Sequence, residues 1–483
     1  MWIVVFGRAT QFLLALVMMR VATEFLPPQE IGRMSLIMTS TTFFALFLIN
    51  PVGMFINRRL HTWNDNGRVQ IYLKYYWTYL LFISAFAGFC LIFIYNLELI
   101  NYQTSLFWLL VLVCGSLLFN TINQTVIPSL NLLGFREWFI FLTLCTVIVS
   151  FISALIMVVS IQAQAEFWLL GLLVGQTILS IIGIKIFFSK LKFNSNINNS
   201  KPLQNKLTKD NILTLYRFAW PVAISVGLGW VQCQGYRFML DNMLGLQSLG
   251  LFVAGYGISL GIIVAFESIF TTYFQPEFYK KISGSNRDVQ SQAWTDYANT
   301  IFPSLLLLLF FIIALAPELT RILLAEKYHS AVQFVIWGAL AEVIRVLIGV
   351  YILGAHAIMN TRLLIAPNAV GAIFTIGLIL VMVPRMGITG VGASLTIAGI
   401  LALITVHSIL KSRLTINLPY KYISYSIAMG CGLVTISTLI KSLISEIVSI
   451  EATLIYIAIM GIIFLGLLYI LLSPVLHKVE SVK

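Results

Sequence analysis

Charge is what this sequence has least of. Only 10% of its 483 residues are Asp, Glu, Lys or Arg, while 59% are hydrophobic. An ordinary soluble domain carries about 25% charged residues. A soluble chain of this length cannot bury about 285 apolar positions and still cover itself with polar groups. The same figures exclude disorder, a secreted disulfide scaffold and a coiled coil. Cysteine is scarce too. Cys90, Cys114, Cys145, Cys233 and Cys431 all fall in apolar runs, with no CxxC pair. That excludes a disulfide frame or zinc site and reads as small apolar packing. No Walker A motif is present, so the chain does not hydrolyse ATP. His61, His329, His356, His407 and His477 are scattered without metal-ligand spacing, so no metal is expected. No Ser/His/Asp set is visible.

What the sequence does have is long apolar runs. A membrane helix needs roughly 20 mostly apolar residues, so about fourteen spans are expected. The candidates are 3–22, 34–56, 75–95, 106–127, 139–160 and 167–188, then 218–240, 250–270, 301–316, 332–354, 364–383 and 387–410, and finally 423–440 and 454–472. The 301–316 span is the shortest, bracketed by Pro303 and Pro317. Residues 1–21 lack the basic leader and cleavage site of a signal peptide and read as a retained first span. Between the two series of six lies a polar stretch with an Asn-rich run at 194–200, read as a flexible linker. The expected fold is therefore an all-α polytopic membrane protein. It would have a six-helix lobe at 1–188, a cytoplasmic linker at 189–214, a second six-helix lobe at 215–410, and two extra helices with a cytoplasmic tail at 411–483.

The basic residues orient this layout. They number 30 against 18 acidic residues, a net charge of +12. With both termini in the cytoplasm and fourteen spans, about twenty-one fall in inside loops. Arg33, Arg321, Lys327, Arg385 and Lys441 fall outside, and Arg8, Arg20, Arg237 and Arg345 lie within or at the ends of spans. A bias of roughly four to one is what the positive-inside rule expects. The positive charge is thus a topology signal and not a nucleic-acid surface.

The two series resemble each other. Leu26, Gln29, Ile31 and Gly32 share the spacing L-x-x-Q-x-[IL]-G with Leu244, Gln247, Leu249 and Gly250. Arg20 and Arg237 come shortly before. Leu132, Leu133 and Arg136 faintly match Ile358, Met359 and Arg362. Two matches in order at nearly the same offset point to two homologous six-helix bundles of one orientation, a parallel repeat with the substrate path at their interface. Chance similarity of biased loops is the alternative.

Several segments resemble a known family. These are Met19-Arg20 to Gly32, Asn50-Pro51-Val52-Gly53, Asn57-Arg58-Arg59-Leu60, Tyr236-Arg237-Phe238-Met239-Leu240, and the turn Gly387-Ile388-Thr389-Gly390-Val391-Gly392-Ala393. Together with the six-plus-six-plus-two layout, they resemble the Wzx-type O-antigen translocases, the polysaccharide flippases of the multidrug/oligosaccharidyl-lipid/polysaccharide (MOP) exporter superfamily. The resemblance covers essentially the whole chain. It implies a MATE-like V-shaped transporter with two pseudo-symmetric lobes. Such a protein flips undecaprenyl-diphosphate-linked O-antigen repeat units from the cytoplasmic to the periplasmic leaflet of the bacterial inner membrane. It is a secondary transporter, not an enzyme. It needs no cofactor, a proton or sodium gradient being the driving candidate. Membrane lipids, and a polymerase and chain-length regulator of the same pathway, are the expected partners, with no nucleic acid.

Charged residues inside spans are the first functional candidates, because a charge at the bilayer centre costs about 2.5–3.5 kcal/mol or more. Arg8 shares a helix face with Gln11. Arg20 sits elsewhere on the same helix. Arg237 has Asp241 four residues on as a ready partner, and Arg345 has Glu342 three residues earlier. Glu267 stands alone on an apolar stretch, where a buried carboxylate can exchange protons. Guanidinium groups suit a diphosphate, which they bind by bidentate charged hydrogen bonds. Asn120, Asn123, Gln124 and Tyr236 suit sugars. The substrate-binding candidates are therefore Arg8, Arg20, Arg237, Arg345, Gln11, Asn120, Asn123 and Tyr236. The ion-coupling candidates are Glu267, Glu342 and Asp241. Arg58, Arg59, Lys74, Lys280 and Lys281 would attract anionic headgroups at a cytoplasmic entrance. For each there is a plainer reading: snorkelling, structural ion pairs, interhelical hydrogen bonds or topology signals. Two other functions fit less well. A cation-coupled multidrug exporter of the same fold would not need net-cationic lumen candidates. An O-antigen polymerase would be expected to carry a large catalytic loop.

Overall fold

A computed structural model describes residues 2–65, 69–100, 102–191, 209–282, 286–358, 360–443 and 449–480. The regular structure in these stretches is entirely helical. The chain runs through α1 (Trp2–Phe25), α2 (Pro28–Phe44), a five-residue π turn (Ala45–Ile49), α3 (Asn50–Asp65), α4 (Val69–Asn96), α5 (Leu106–Leu132), α6 (Arg136–Ser160) and α7 (Ala165–Lys190). It continues with α8 (Lys209–Trp230), a second π turn (Val231–Gly235), α9 (Tyr236–Ile282) and α10 (Arg287–Leu323). After a 3-10 turn come α11 (Val332–Ala357), another 3-10 turn, α12 (Ile365–Met386), α13 (Ile388–Lys411), α14 (Tyr420–Leu443) and α15 (Ile450–Glu480). The Asn-rich run of the expected linker lies outside the described residues.

Among the described residues, twelve segments are long and apolar enough to cross a membrane. Large apolar side chains such as Phe82, Phe89, Phe107, Ile373 and Ile462 point outwards. Water would penalise such a surface, whereas lipid accepts it. The chain is a multi-pass membrane protein. The expected count of fourteen differs from these twelve at two places. One is α1, which is not among them. The other is the 68-residue segment Leu215–Ile282, where Gly245, with φ 81° and ψ 169°, breaks α9. Only glycine adopts that backbone without strain.

The repeated spacing falls on a helix-to-helix turn in each half. Leu26 lies between α1 and α2, and Leu244 adjoins the break at Gly245. Gln29 and Gln247 are exposed, while Ile31, Gly32, Leu249 and Gly250 are buried. The leucines differ, Leu26 being buried and Leu244 half-buried, and only the second turn has a positive-φ glycine.

The chain forms two compact units. The first contains residues 1–18 and 29–238, and the second contains 19–28 and 239–483. The final turns of α1 thus belong with the second unit, and α8 with its π turn belongs with the first.

In the first unit, α7 packs closely on both α6 and α5. Gly171 and Gly175 let the α6 backbone approach at Ala154 and Ser150, where any Cβ would collide. This is the small-residue contact that packs membrane helices without a hydrophobic drive. The N-terminal turns of α2 and α7 are stapled by charge. Glu30 accepts from Ala165 N at 2.8 Å, Arg33 lies 3.1 Å from Glu30 and 3.5 Å from Glu166, and Thr104 donates to Glu166 at 2.9 Å. Both carboxylates sit in first turns, where the helix dipole favours them.

In the second unit, α10 is central and packs against α11, α14 and α15. The expected short span at 301–316 is corrected here: α10 runs 37 residues, straight through Pro303 and Pro317. Pro317 removes the helical donor to the carbonyl four residues back, Ile313 O, and so loosens that turn, where a neighbouring helix can supply donors. Ala314 O, just before Pro317, accepts from Ser437 Oγ at 3.1 Å and Lys441 Nζ at 3.0 Å, both on α14. Lys441 also pairs with Glu318 at 2.9 Å, and Ser437 bonds Tyr456 of α15 at 2.6 Å. The last two helices are thereby pinned to α10.

Candidate functional site

Two polar clusters inside the helices gather most of the intramembrane charge. They are built differently, one in each unit.

The first surrounds Arg237. A π turn widens a helix by one residue and recurs at functional sites. Both π turns among the described residues lie in the first unit, and α8 packs on the first of them. Phe47 of that turn fills the space that a side chain at Gly227 would occupy. Arg237 Nη1 donates to Thr39 Oγ1 at 3.1 Å and to Gln234 Oε1 at 3.4 Å. Trp230 Nε1 donates to Thr42 Oγ1, which lies 3.2 Å from Gln234 Oε1. Phe43 meets the Trp230 ring edge-on at 4.9 Å. Arg237 Nε is buried with no partner. Among the described residues the guanidinium is thus met by two neutral oxygens and by the Tyr236 ring at 5.8 Å, with no carboxylate in ion-pair reach. Asp241, its expected partner, falls across the division between the units.

The second surrounds Arg345, roughly 20 Å along α11 at 1.5 Å per residue. Its Nε donates to Glu342 Oε2 at 2.5 Å, and its Nη2 to Glu267 Oε2 of α9 at 2.9 Å. Tyr256 OH donates to the other Glu342 oxygen at 2.5 Å. The expected pairing of Arg345 with Glu342 is present. The solitary Glu267 is not: it is an ion-pair partner of Arg345, 78 residues away in sequence. With two carboxylates to one guanidinium, this group carries a net charge of about −1 when all three are ionised.

The remaining candidates are spread through the fold. Arg20 pairs with Glu24 at 3.1 Å and donates to the carbonyls of Arg321 and Leu324. It thereby covers the open carbonyls at the C-terminus of α10. Asn123 donates to Gln176 O at 2.8 Å and ties α5 to α7, while Asn120 accepts from Gln124 at 3.3 Å. Tyr236 is 1% exposed, so it does not face open space. Gln11 is half-buried. The side chains of Arg8 and Arg58 lie outside the described residues. Arg59 stacks on Phe55 at 4.7 Å. Lys280 is exposed, and Lys281 pairs with Glu277 and Asp296. Nothing in the sequence pattern pointed to Thr39, Thr42 and Trp230 around Arg237, or to Tyr256 beside Glu342. Hydroxyls and indoles in apolar runs look like packing until a distant charge is brought to them.

No protein-family model matches the chain, and no curated protein matches it by sequence. Solved structures do match in fold. A lipid II flippase MurJ in an inward-closed conformation is 15% identical, with a TM-score of 0.59, over 94% of this chain and 99% of that one. An inward-facing MATE-family multidrug transporter of the MOP superfamily is 12% identical, with a TM-score of 0.61, over 85% of this chain and 98% of that one. A Vibrio cholerae MATE transporter is 14% identical, with a TM-score of 0.55, over 85% and 95%. The chain has the fold of these MOP-type transporters and flippases.

Proposed function

We propose that this protein flips a lipid-linked oligosaccharide carried on a polyprenyl diphosphate, of the O-antigen repeat-unit class, across a bacterial inner membrane. The observation that carries the reading is coverage. The MATE transporter accounts for 85% of this chain and the lipid flippase for 94%. The difference is about 43 residues, roughly two membrane spans. The protein thus shares with a lipid flippase a length of chain that the drug exporter does not match. A total of fourteen spans, with both termini in the cytoplasm, belongs to the same reading.

Arg237 is the anion site of choice, because neutral oxygens position it and leave its charge available to a diphosphate. Arg345 is already neutralised, so Glu342 and Glu267 hold it as a coupling group. Arg20 serves the fold. The two units alternate access to the two leaflets, driven by an ion gradient, with the polyprenyl tail left in lipid. A polymerase and chain-length regulator act on the delivered unit.

The test is genetic and biochemical. Loss of the protein is expected to leave the lipid-linked unit on the cytoplasmic leaflet, and Arg237→Ala is expected to do the same. Single-unit capped lipopolysaccharide in the deletion would instead identify a polymerase. A second reading, a cation-coupled drug exporter, is favoured by the net-anionic Arg345 group. Drug sensitivity with intact surface polysaccharide in the deletion would select it.

A further inference from the structure

The structure assigns the second π turn, Val231–Gly235, as the subsite for the sugar nearest the diphosphate, with Gln232 and Gln234 as its hydrogen-bonding side chains. The assignment deepens the reading above and rests on it for the phosphate held at Arg237. The sugar contact itself does not need that reading.

Depth makes these two amides unusual. The π turn lies midway between Leu215, where an apolar run begins, and the break at Gly245. A polar group without a partner is costly at such depth. Gln232 nevertheless makes no hydrogen bond among the described residues. Gln234 uses one end only. Its Oε1 accepts from Arg237 Nη1 at 3.4 Å and from Thr42 Oγ1 at 3.2 Å. Its Nε2 has no partner among the described residues, and the two bonds to Oε1 fix it as the free end of the amide. The unpaired amide atoms of both glutamines keep accessible surface. The backbone around them is loosely covered as well. Every residue from 221 to 235 is half-buried, with no side chain fully enclosed and none fully bare. This stretch borders a crevice.

A ligand rich in neutral hydroxyls fits that crevice. Each glutamine amide offers two N–H donors and a carbonyl acceptor, and sugar hydroxyls both donate and accept. A hydrocarbon chain would leave the amides unpaired. The rings of Trp230 and Phe43 stand beside them, 4.9 Å apart and half-buried. Trp230 Nε1 is already taken by Thr42 Oγ1. The indole therefore offers only its apolar surface, which suits the C–H face of a pyranose. Arg237 follows Gln234 by three residues and shares its Oε1. A phosphate on the guanidinium and a sugar on the amide would thus be neighbours, as they are in a sugar diphosphate.

The experiment uses the full-length protein in a detergent without a sugar headgroup. Kd is measured for geranyl diphosphate and for geranyl diphosphate carrying a single glucose, galactose or N-acetylglucosamine. The octyl glycosides of the same sugars serve as probes without phosphate. Wild type is expected to bind at least one glycosylated diphosphate about tenfold tighter than the bare one, the worth of one or two net hydrogen bonds. Gln232→Leu and Gln234→Leu are each expected to remove most of that advantage. Both should leave the Kd for bare geranyl diphosphate within about twofold. Gln232→Leu breaks no hydrogen bond among the described residues, so its effect is not one of folding. Arg237→Ala is expected to weaken every diphosphate and to leave the octyl glycosides unchanged. If wild type binds bare and glycosylated diphosphates equally, water alone meets the amides and the subsite is overturned. It is also overturned if either glutamine variant keeps the full sugar advantage. If no diphosphate binds, the diphosphate reading fails and the octyl glycosides decide the subsite. Glycoside binding that Gln232→Leu abolishes sustains it; no binding, or binding that survives in Gln232→Leu, overturns it.

Discussion

The arginines of this protein show how one costly side chain can be settled in different ways. Arg20 covers the end of α10, Arg237 is cradled by neutral oxygens, and Arg345 is clamped between carboxylates. Among the described residues only the second has no carboxylate partner. The cations assigned outside by topology tell a related story. Arg33, Lys327 and Lys441 are tied to Glu30 and Glu166, to Glu24 O, and to Glu318. Three of the five cations that the sequence reading placed outside thus have a structural partner. Because Arg20 is committed to the fold, Arg20→Ala is expected to destabilise the protein by about 1 kcal/mol. Binding of the diphosphate probe should be unchanged. Thermal unfolding in detergent and the probe titration together check this.

Helices in a bilayer associate through shape, and α6 and α7 meet where shape is least forgiving. A side chain at Gly175 would enter the backbone of Ser150. Gly175→Leu is therefore expected to cost about 3 kcal/mol or more by overpacking. It should appear as loss of monodisperse protein on size exclusion, while Leu at Gly229, which faces open space, should be tolerated. The element scale is also where sequence reading succeeds and stops. The helices α4 to α7 could be placed from apolar runs bounded by polar turns, because in lipid every backbone group must be satisfied within the segment. The turns after Leu26 and Leu244 were visible as a repeat. Pro303 and Pro317 misled about α10, since the donors that fill Ala314 O come from Ser437 and Lys441 on α14, more than a hundred residues on. The π turns were invisible, because five apolar or amide residues read the same in either helical form. In the candidate site, Glu342 and Arg345 were legible as neighbours on one helix. Glu267 and Thr39 were not, because their partners are 78 and 198 residues away.

At the scale of the molecule, the chain arranges itself into two units that exchange short pieces. The end of α1 goes to the second unit and α8 to the first. Of the C-terminal pair, α14 is fastened to α10 by the Lys441 to Glu318 ion pair and the Ser437 to Ala314 O bond, and α15 to α14 by the Ser437 to Tyr456 bond. Whatever motion the second unit makes, these helices share it. The proposed topology can be checked at the same scale. A fluorescent protein fused after residue 483 is expected to fold and fluoresce, as it does only on the cytoplasmic side. An alkaline phosphatase fusion at the same point is expected to be inactive.

The exchanged piece of α1 has a consequence in time. Arg20 leaves the ribosome with Glu24 as its neighbour, but the carbonyls it finally covers are 301 and 304 residues downstream. At about 5–20 residues per second, roughly 15 to 60 s of synthesis separate the two. Of these partners Arg20 has only Glu24 until most of the protein has been made. The joint that begins in the first helix is among the last to set.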